Sequence, residues 1–316
     1  MKKKIAIIIL ILLAGLPLIS AVFPRDYADY LQRPLKDKAE FTFDNLSTGI
    51  YMSALEDYLS DRFAFKPEFL SVRAYTNYIF GVREYDNIIA GKNLYQRPLA
   101  NDRAEKFINA NDQAKVFAIP YKMVYSDNLP KVIQMNNLQR QMTKKYYSLV
   151  GENLFKTFDT GDYYRGDHHL NENGVLKLLD KLGLDGDYKR TEAHDFRGGL
   201  SRKTGFIKKD DFVGLYIEDF KNKKILADGK EINLYNFDKL DSADPYLFYL
   251  SGNYGLVDIE GTGQGSVTII KDSFANPTLG FFAKKYKHVR AIDPRFLREK
   301  IEDKVLDGDI YVIGGF

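Results

Sequence analysis

The chain has 316 residues, which is room for one large α/β domain, or two small ones, with a proper core. Its 46 basic and 43 acidic residues are interleaved and nearly cancel, so nothing in the charge pattern supports nucleic-acid binding. The absence of cysteine excludes a disulfide framework and a thiolate zinc site, and four histidines are too few for a histidine-rich metal cluster.

The N-terminus predicts targeting to or across a membrane. Three lysines at positions 2–4 precede an uncharged stretch of 20 residues, 5–24, which is about the length that spans a bilayer. By the positive-inside rule, everything after Arg25 lies outside the cytoplasm. Residues 1–24 are either a signal anchor or a signal peptide cleaved near Ala21. We therefore expect an extracytoplasmic protein, held at the cell membrane through this helix or secreted if the segment is removed.

Residues 25–45 are polar, without clear periodicity, and are interpreted as a stalk that precedes a folded domain at 46–316. Two amphipathic helices are predicted at the start of that domain, near 47–60 and near 67–80. The second helix repeats its apolar residues at helical spacing, at Phe69, Val72, Thr76 and Ile79.

Short apolar runs in the rest of the domain predict the strands of a buried sheet. The runs lie at 116–120, 153–158, 266–270, 288–292 and 309–313, and shorter strands are predicted within 85–99. The helices predicted between them lie near 131–148, 172–182 and 277–286. This alternation predicts a parallel sheet covered by helices on both faces. Residues 185–262 are interpreted as a β-rich insertion.

The segment before the helix at 172 carries Asp167, His168 and His169, and histidine is the side chain best suited to moving protons near neutral pH. Ser273 follows the strand at 266–270, at the carboxyl edge of the predicted sheet, where open α/β sheets bind ligands. A serine becomes a nucleophile when a neighbouring base takes its proton. Ser273 as nucleophile, His169 as base and Asp167 as the group that orients the imidazole therefore form a candidate catalytic triad.

The same residues allow other interpretations. Ser273 is also a suitable cap for the helix that follows it, and the Asp-His-His run is also a suitable polar turn before the helix at 172. A metal site on Asp167, His168 and His169 ranks below the triad, because adjacent side chains tend to point apart and no further aspartate clusters accompany them. We therefore predict no metal and no cofactor.

Several segments resemble the DHHW family of exported Gram-positive proteins, which is related to the alginate O-acetylation proteins and, more distantly, to the SGNH hydrolases. The run Asp-His-His-Leu at 167–170 matches the motif that names the family, with Leu170 in place of its tryptophan. The other matching segments lie at 60–65, 119–122, 163–166, 195–201, 271–276 and 293–295.

The resemblance implies an SGNH-like three-layer α/β/α domain with its catalytic segments in permuted order. Carried over to this sequence, the triad of the alginate relatives is Asp167, His169 and Ser273. The resemblance also implies an O-acetyltransferase that acts on cell-envelope or secreted polysaccharide, beside a membrane-bound acyltransferase that supplies the acyl group. A carbohydrate esterase with the same triad and a non-catalytic polysaccharide-binding or scaffold protein are the alternatives.

Further residues are candidates for substrate binding. Lys122 and Arg295 each follow a predicted strand, at the same sheet edge as the candidate nucleophile, where they would bind acidic sugar or phosphate groups. Solvated surface charge is the alternative for both. Tyr164 and Arg165, in the segment before the motif, are further candidates for substrate binding. Asn276 is a candidate oxyanion donor or a cap for the following helix.

Overall fold

The structure of the protein is a computed structural model, and it describes residues 35–63, 65–97, 101–125, 154–184 and 186–315. These residues divide into two compact units. The smaller unit contains 35–82 and 201–207, and the larger contains 83–200 and 208–315. The predicted anchor at 1–24, the first part of the predicted stalk and the predicted helix at 131–148 lie outside the described residues. Among the helices that are described, none combines the length and apolar character needed to cross a bilayer.

The helices are short to medium in length and are numbered in chain order. They are α1 (Phe43–Ser47), α2 (Ile50–Asp61), α3 (Lys66–Ile79), α4 (Asp102–Ala110), α5 (Glu172–Leu182), α6 (Gly199–Thr204) and α7 (Leu279–Lys285). The strands are β1 (Glu84–Tyr85), β2 (Ile88–Ala90), β3 (Leu94–Gln96), β4 (Lys115–Ala118), β5 (Lys189–Arg190), β6 (His194–Phe196), β7 (Asp210–Phe212), β8 (Leu215–Tyr216), β9 (Lys224–Ala227), β10 (Lys230–Asn233), β11 (Leu256–Glu260), β12 (Ser266–Lys271), β13 (His288–Ile292) and β14 (Asp309–Gly314).

The smaller unit consists of α1, α2 and α3 together with residues 201–207. α2 and α3 confirm the two predicted helices, and Pro67 lies in the first turn of α3, where its missing N–H leaves no hydrogen bond unmade. The predicted stalk is too long at its C-terminal end, because α1 begins at Phe43. α3 packs through the fully buried Ala74 and through Ser71, whose Oγ donates to the carbonyl of Gly205 at 2.8 Å.

Seven strands form the main sheet in the described part of the larger unit, in the order β10-β9-β11-β13-β12-β14-β4. β13, β12, β14 and β4 pair parallel to one another. Their successive side chains point to opposite faces. Ile270 and Val312 belong to the core that contains the apolar residues of α4, whereas Ile269 and Ile313 belong to the core that contains those of α5 and α7. The larger unit is therefore an α/β structure in three layers.

The sheet is mixed, and the predicted parallel sheet is correct only for one half of it. β9, β10 and β11 pair antiparallel, and all three come from residues 185–262, which the sequence suggested to be an insertion. The turn Asp228-Gly229 joins β9 to β10, and its positive φ angles of 46° and 78° suit a tight hairpin. A two-residue hairpin connects antiparallel strands only. The region thus extends the main sheet as well as carrying small sheets of its own.

The helix after the Asp-His-His run forms as the sequence predicts. α5 begins at Glu172, and the side chain of its N-cap, Asn171, accepts a hydrogen bond from the backbone N–H of Gly174 at 3.1 Å. Leu178 and Leu179 of α5 are buried in the core. By contrast, residues 154–157 form turns in place of the predicted strand.

The four parallel strands end at one edge of the sheet, where polar residues follow three of them and a glycine follows the fourth. Lys122 comes after β4, Ser273 after β12, Arg295 after β13 and Gly315 after β14. The carboxyl edge of a parallel sheet is the usual ligand-binding edge of an open α/β fold. This edge is therefore the first place to look for a functional site.

Candidate active site

Ser273 is the first residue of a 3₁₀ helix, Ser273–Thr278, that follows β12. The cap of this helix is Asp272, so the interpretation of Ser273 as the capping residue is wrong. The carboxylate of Asp272 accepts hydrogen bonds from the backbone N–H of Phe274 at 2.9 Å and from that of Gly315 at 2.8 Å. Within the described residues, the backbone N–H of Ser273 has no hydrogen-bond partner. It is available to a ligand beside the serine hydroxyl.

The imidazole of His169 lies between Ser273 and Asp167. Its Nε2 is 2.8 Å from Ser273 Oγ, and its Nδ1 is 2.6 Å from Asp167 Oδ1. All three side chains are at most about a tenth exposed, so these hydrogen bonds are shielded from bulk water. The structure thus brings together the three residues that the sequence singled out, in the series serine, histidine and aspartate that the predicted triad requires.

Asp167 is fixed by more than the histidine ring. Its carboxylate also accepts from the backbone N–H of His169 at 3.0 Å and from the backbone N–H of Gly199. Burial raises the pKa of Asp167, but the charges of His169 and His168 and the hydrogen bonds from His169 outweigh burial and hold the pKa well below its usual range. Asp167 therefore stays ionised and holds the Nδ1 proton of His169.

Two glycines allow backbone to approach the carboxylates of the site closely. A Cβ atom at Gly198 would lie 2.4 Å from the Cβ of Asp167, and a Cβ atom at Gly314 would lie 2.8 Å from the Cγ of Asp272. Any side chain at either position would displace the carboxylate it meets. Gly198 belongs to the segment 195–201, which resembled a family block in the sequence, and its lack of a side chain lets this part of the segment lie against Asp167.

Tyr246 is a site residue that the sequence did not reveal. Its ring stacks on the imidazole of His169, with 3.9 Å between ring centroids and 15° between ring planes. Its hydroxyl donates to the backbone carbonyl of Ser273 at 2.9 Å. Burial raises the pKa of Tyr246 well above its usual value, so the hydroxyl keeps its proton. Tyr246 lies in the region interpreted as an insertion, and only its place in an aromatic run, Tyr246 to Tyr249, hints at a buried role.

A small cavity of about 50 Å³ opens beside the serine. Its lining includes Ser273, His168, Gln96, Asn101, Tyr121 and Arg295. The guanidinium of Arg295 is held by the fully buried Asp293, with Nε and Nη2 donating to its two carboxylate oxygens at 2.9 and 2.7 Å. Arg295 Nη1 has no partner within the described residues, so this cation lies at the cavity with one nitrogen uncommitted.

Lys122 is buried rather than placed at a surface, and it does not line this cavity. Its Nζ donates to the backbone carbonyls of Tyr164 at 2.5 Å and Asp167 at 2.9 Å. Burial lowers the pKa of Lys122 to about 7, and the carboxylates of Asp167 and Asp210 raise it only in part. The predicted substrate-binding role of Lys122 is therefore wrong, because its side chain binds backbone carbonyls of the motif segment and holds that segment in place.

Tyr164 and Arg165 also lie away from the cavity. The ring of Tyr164 packs in the core against Phe196, with 4.7 Å between centroids. Arg165 is exposed, and its Nε donates to Asp210 at 3.0 Å. Of the four residues predicted to bind substrate, the structure brings only Arg295 to the serine. Leu170, where the family motif has tryptophan, is a buried core residue.

Asn276 lies inside the 3₁₀ helix and does not line the cavity. Its Oδ1 accepts from the Nζ of Lys271 at 2.8 Å, and both side chains are buried. The helix starts four residues earlier than the sequence suggested, so Asp272 caps it and the predicted capping role of Asn276 is wrong. Because Asn276 pairs with Lys271 and does not line the cavity beside Ser273, this geometry does not support its predicted role as an oxyanion donor.

His168 completes the Asp-His-His run at the cavity wall, with its Nδ1 3.5 Å from Asp167 Oδ1. Asp167, His168 and His169 can each offer one ligand atom, and these atoms all lie within 4.8 Å of one another. Both ring nitrogens of His169 are directed at hydrogen-bond partners, however. An ion bound through this ring would have to break the contact with Asp167 or that with Ser273.

The fold and the site together define an α/β protein with a serine, a histidine and an aspartate in hydrogen-bonding series at the carboxyl edge of its sheet. No protein-family model and no curated protein matches the sequence. The solved structures that share its fold include the following three. The first is PatB1 from Bacillus cereus with a sulfonyl adduct, with a TM-score of 0.53 and 18% identity, and the match covers 73% of this chain and 95% of that one. The second is PatB1 from Bacillus cereus, with a TM-score of 0.51 and 19% identity over 72% of this chain and 94% of that one. The third is a DHHW family protein from Eubacterium siraeum, with a TM-score of 0.50 and 14% identity over 74% of this chain and 92% of that one. The likeness to DHHW proteins, first drawn from short segments of the sequence, thus extends to the fold.

Proposed function

We propose that this protein is an SGNH-like O-acetyltransferase related to the DHHW proteins, and that it transfers acetyl groups to a cell-envelope or secreted polysaccharide outside the cytoplasm. The observation that carries the proposal is the continuous series of hydrogen bonds from Asp167 through His169 to Ser273 Oγ. Such a series is the arrangement that activates a serine for acyl transfer on many unrelated folds.

The first half of the reaction loads the enzyme. His169 Nε2 takes the hydroxyl proton of Ser273 as Oγ attacks the carbonyl carbon of the acyl donor. The carbonyl oxygen becomes an oxyanion, which the uncommitted backbone N–H of Ser273 stabilises. His169 then gives its proton to the leaving group, the bond to the donor breaks, and the acyl group remains on Ser273. Asp167 holds the imidazole in the tautomer that this exchange needs.

The second half transfers the acyl group to the sugar. A sugar hydroxyl takes the place of the leaving group, His169 removes its proton, and the hydroxyl oxygen attacks the acyl-serine. Collapse of the second tetrahedral intermediate breaks the bond to Ser273 Oγ, which recovers its proton from His169. Arg295, whose Nη1 has no partner in the described residues and whose guanidinium lines the cavity, is the side chain best placed to hold the donor or the sugar.

The cavity favours a short acyl group. Pockets that hold drug-sized molecules usually measure about 300–1,000 Å³. A cavity of about 50 Å³ beside Ser273 suits a group of a few atoms, such as acetyl, and not a long chain. The acyl donor is proposed to come from a membrane-bound acyltransferase, in line with the resemblance, and the N-terminal segment at 1–24 is proposed to bring the protein to the membrane.

A covalent probe tests the nucleophile. PatB1, which shares the fold, carries a sulfonyl adduct in one of its structures, and sulfonyl fluorides react with activated nucleophiles. We expect an alkylsulfonyl fluoride to label the wild-type chain in a reaction that depends on His169. We expect this labelling to be lost in Ser273→Ala. Ser266→Ala, at the other end of the same strand, is the matched control and should be labelled like the wild type. Equal labelling of Ser273→Ala and wild type would overturn the proposed nucleophile.

The acceptor decides between transferase and esterase. The wild-type protein is given an activated acetyl ester with and without an oligosaccharide, and acetylated sugar is measured by mass spectrometry. Acetylated sugar that disappears in Ser273→Ala supports the transferase. Free acetate alone, again dependent on Ser273 and His169, assigns the same site to a carbohydrate esterase. If the rate of acetyl release is unchanged in both Ser273→Ala and His169→Ala, this site is not catalytic, and the non-catalytic polysaccharide-binding or scaffold alternative remains.

A further inference from the structure

An apolar stripe runs along the solvent-facing side of α3. Phe69, Val72 and Ile79 follow one another at intervals of three and seven residues, which places them on one face of the helix, and the apolar stripe is completed by the N-cap residue Phe65 and the C-cap residue Phe80. They are between 45% and 81% exposed, with Ile79 and Phe80 the most exposed. Single exposed apolar residues are normal on protein surfaces, but a stripe at helical spacing marks a face that is built to be covered.

The other side of α3 already has its partner within the smaller unit. Ala74 is fully buried, and Ser71 Oγ donates to the carbonyl of Gly205 at 2.8 Å. The rings of Tyr75 and Tyr78 contact the ring of Phe206, with centroids 5.3 and 5.7 Å apart. The orientation of the helix is therefore fixed, and its apolar stripe points away from the contacts that fix it.

More exposed apolar residues precede α3 in the same unit. They are Phe41, Phe43, Leu46, Ile50 and Met52, each at least 42% exposed. All of them follow the uncharged stretch at 5–24 closely in the chain. The 18 residues 25–42 reach no more than about 65 Å even when fully extended. If residues 5–24 enter a bilayer, as the sequence predicts, α1 to α3 cannot leave its neighbourhood.

We infer that the apolar stripe of α3 docks on the surface of a lipid bilayer, with its aromatic and aliphatic side chains inserted at the boundary between headgroups and acyl chains. Helices with one aromatic-rich apolar face lie in the membrane interface in this way. Acidic and basic residues nearly balance over residues 35–80, so apolar insertion and not attraction to anionic lipid is the driving force. The inference rests on the predicted membrane segment and not on the proposed catalysis.

The chain contains no tryptophan, so a single introduced tryptophan reports on its own surroundings. Phe69→Trp and Phe80→Trp place the reporter in the stripe. Leu226→Trp, at a site 52% exposed in the larger unit, is the matched control. The full chain is reconstituted in vesicles of zwitterionic phosphatidylcholine, with or without brominated acyl chains. We expect the emission of both stripe reporters to shift to shorter wavelength and to be quenched by brominated lipid, while the control stays unshifted and unquenched.

Two outcomes would overturn the inference. Emission from Trp reporters at 69 and 80 that matches the control in vesicles means that lipid does not cover the stripe. A blue shift that brominated lipid does not quench, and that weakens as protein is diluted within the bilayer, means that a second copy or another protein covers it. Quenching that persists at high salt and without anionic lipid supports apolar insertion. None of these readouts requires catalytic activity.

Discussion

α5 and α3 are both amphipathic helices with a clear start signal, yet the two meet opposite fates. α5 begins at its Asn171 cap and buries Val175, Leu178 and Leu179 in the core of the larger unit. α3 begins with Pro67 in its first turn and leaves Phe69 and Val72 exposed. The spacing of apolar residues predicts both helices equally well.

The difference teaches that an apolar stripe predicts the need for a cover but not what supplies it. α5 is covered by a sheet assembled from segments far away in the chain. The cover of α3 comes from outside the described residues, by our inference from lipid. The polar counterpart is the edge of the sheet that carries the candidate site, where buried charges are tolerated because segments far apart in the chain supply their partners.

The largest expected effect tests whether the buried hydrogen bonds of Asp167 in the larger unit contribute to catalysis. Asp167→Asn should lower kcat for acetyl release from a model ester by about 10³–10⁴-fold, because the amide cannot hold the His169 tautomer that accepts the serine proton. Asp195→Asn, an exposed acid in a neighbouring segment, should leave kcat unchanged. A loss below about tenfold in Asp167→Asn would mean that the proposed reaction does not need Asp167 to hold the His169 tautomer.

The next effect compares the two helices directly. Leu178→Ala removes a fully buried side chain from α5 and should lower the free energy of unfolding by about 2–5 kcal/mol. Val72→Ala, 65% exposed on α3, should change it by less than about 0.5 kcal/mol in the absence of lipid. Chemical denaturation followed by circular dichroism measures both. Equal losses would show that protein covers the α3 stripe, and the comparison would fail.

A smaller effect follows from the buried lysine. Burial lowers the pKa of Lys122 from 10.5 to about 7 in the folded chain. Between these values the unfolded chain binds a proton that the folded chain has largely released, so the free energy of unfolding rises with pH in this window. Relative to Lys122→Met, the wild type should gain about 2 kcal/mol from pH 7 to pH 9. The exposed Lys181→Met is the control, and a wild-type advantage that falls with pH would contradict the argument.

The smallest effect concerns the ring that touches both His169 and Ser273. Tyr246→Phe keeps the stack on the imidazole but loses the hydrogen bond to the Ser273 carbonyl, worth about 1 kcal/mol, so kcat should fall by roughly five- to tenfold with KM unchanged. Tyr249→Phe loses a comparable buried hydrogen bond, accepted from the N–H of Leu215, but keeps its ring against Tyr246 and makes no hydrogen bond to His169 or Ser273. It should lower stability but not kcat. Equal effects of both variants on kcat would reduce Tyr246 to a core residue.

The sequence by itself determined much of the scaffold. Caps and periodicity predicted α2, α3 and α5, and apolar runs predicted the four parallel strands, because these features depend on residues close together in the chain. The strand-to-helix turn at Ser273 and the pair Asp167 and His169 were also visible, since the chemistry of a site restricts the residue types that can build it.

Tertiary structure alone decided the rest. The Asp228-Gly229 dipeptide is a local hairpin signal, but no local signal places that hairpin in the main sheet. Lys122 is buried by carbonyls 42 and 45 residues away, and the hydroxyl of Tyr246 reaches a carbonyl 27 residues away. Contacts over such distances leave no periodic trace in the chain. Only the folded chain determines whether a lysine contacts water or backbone carbonyls. In the same way, only the folded chain determines whether an apolar stripe packs against a sheet or stays exposed.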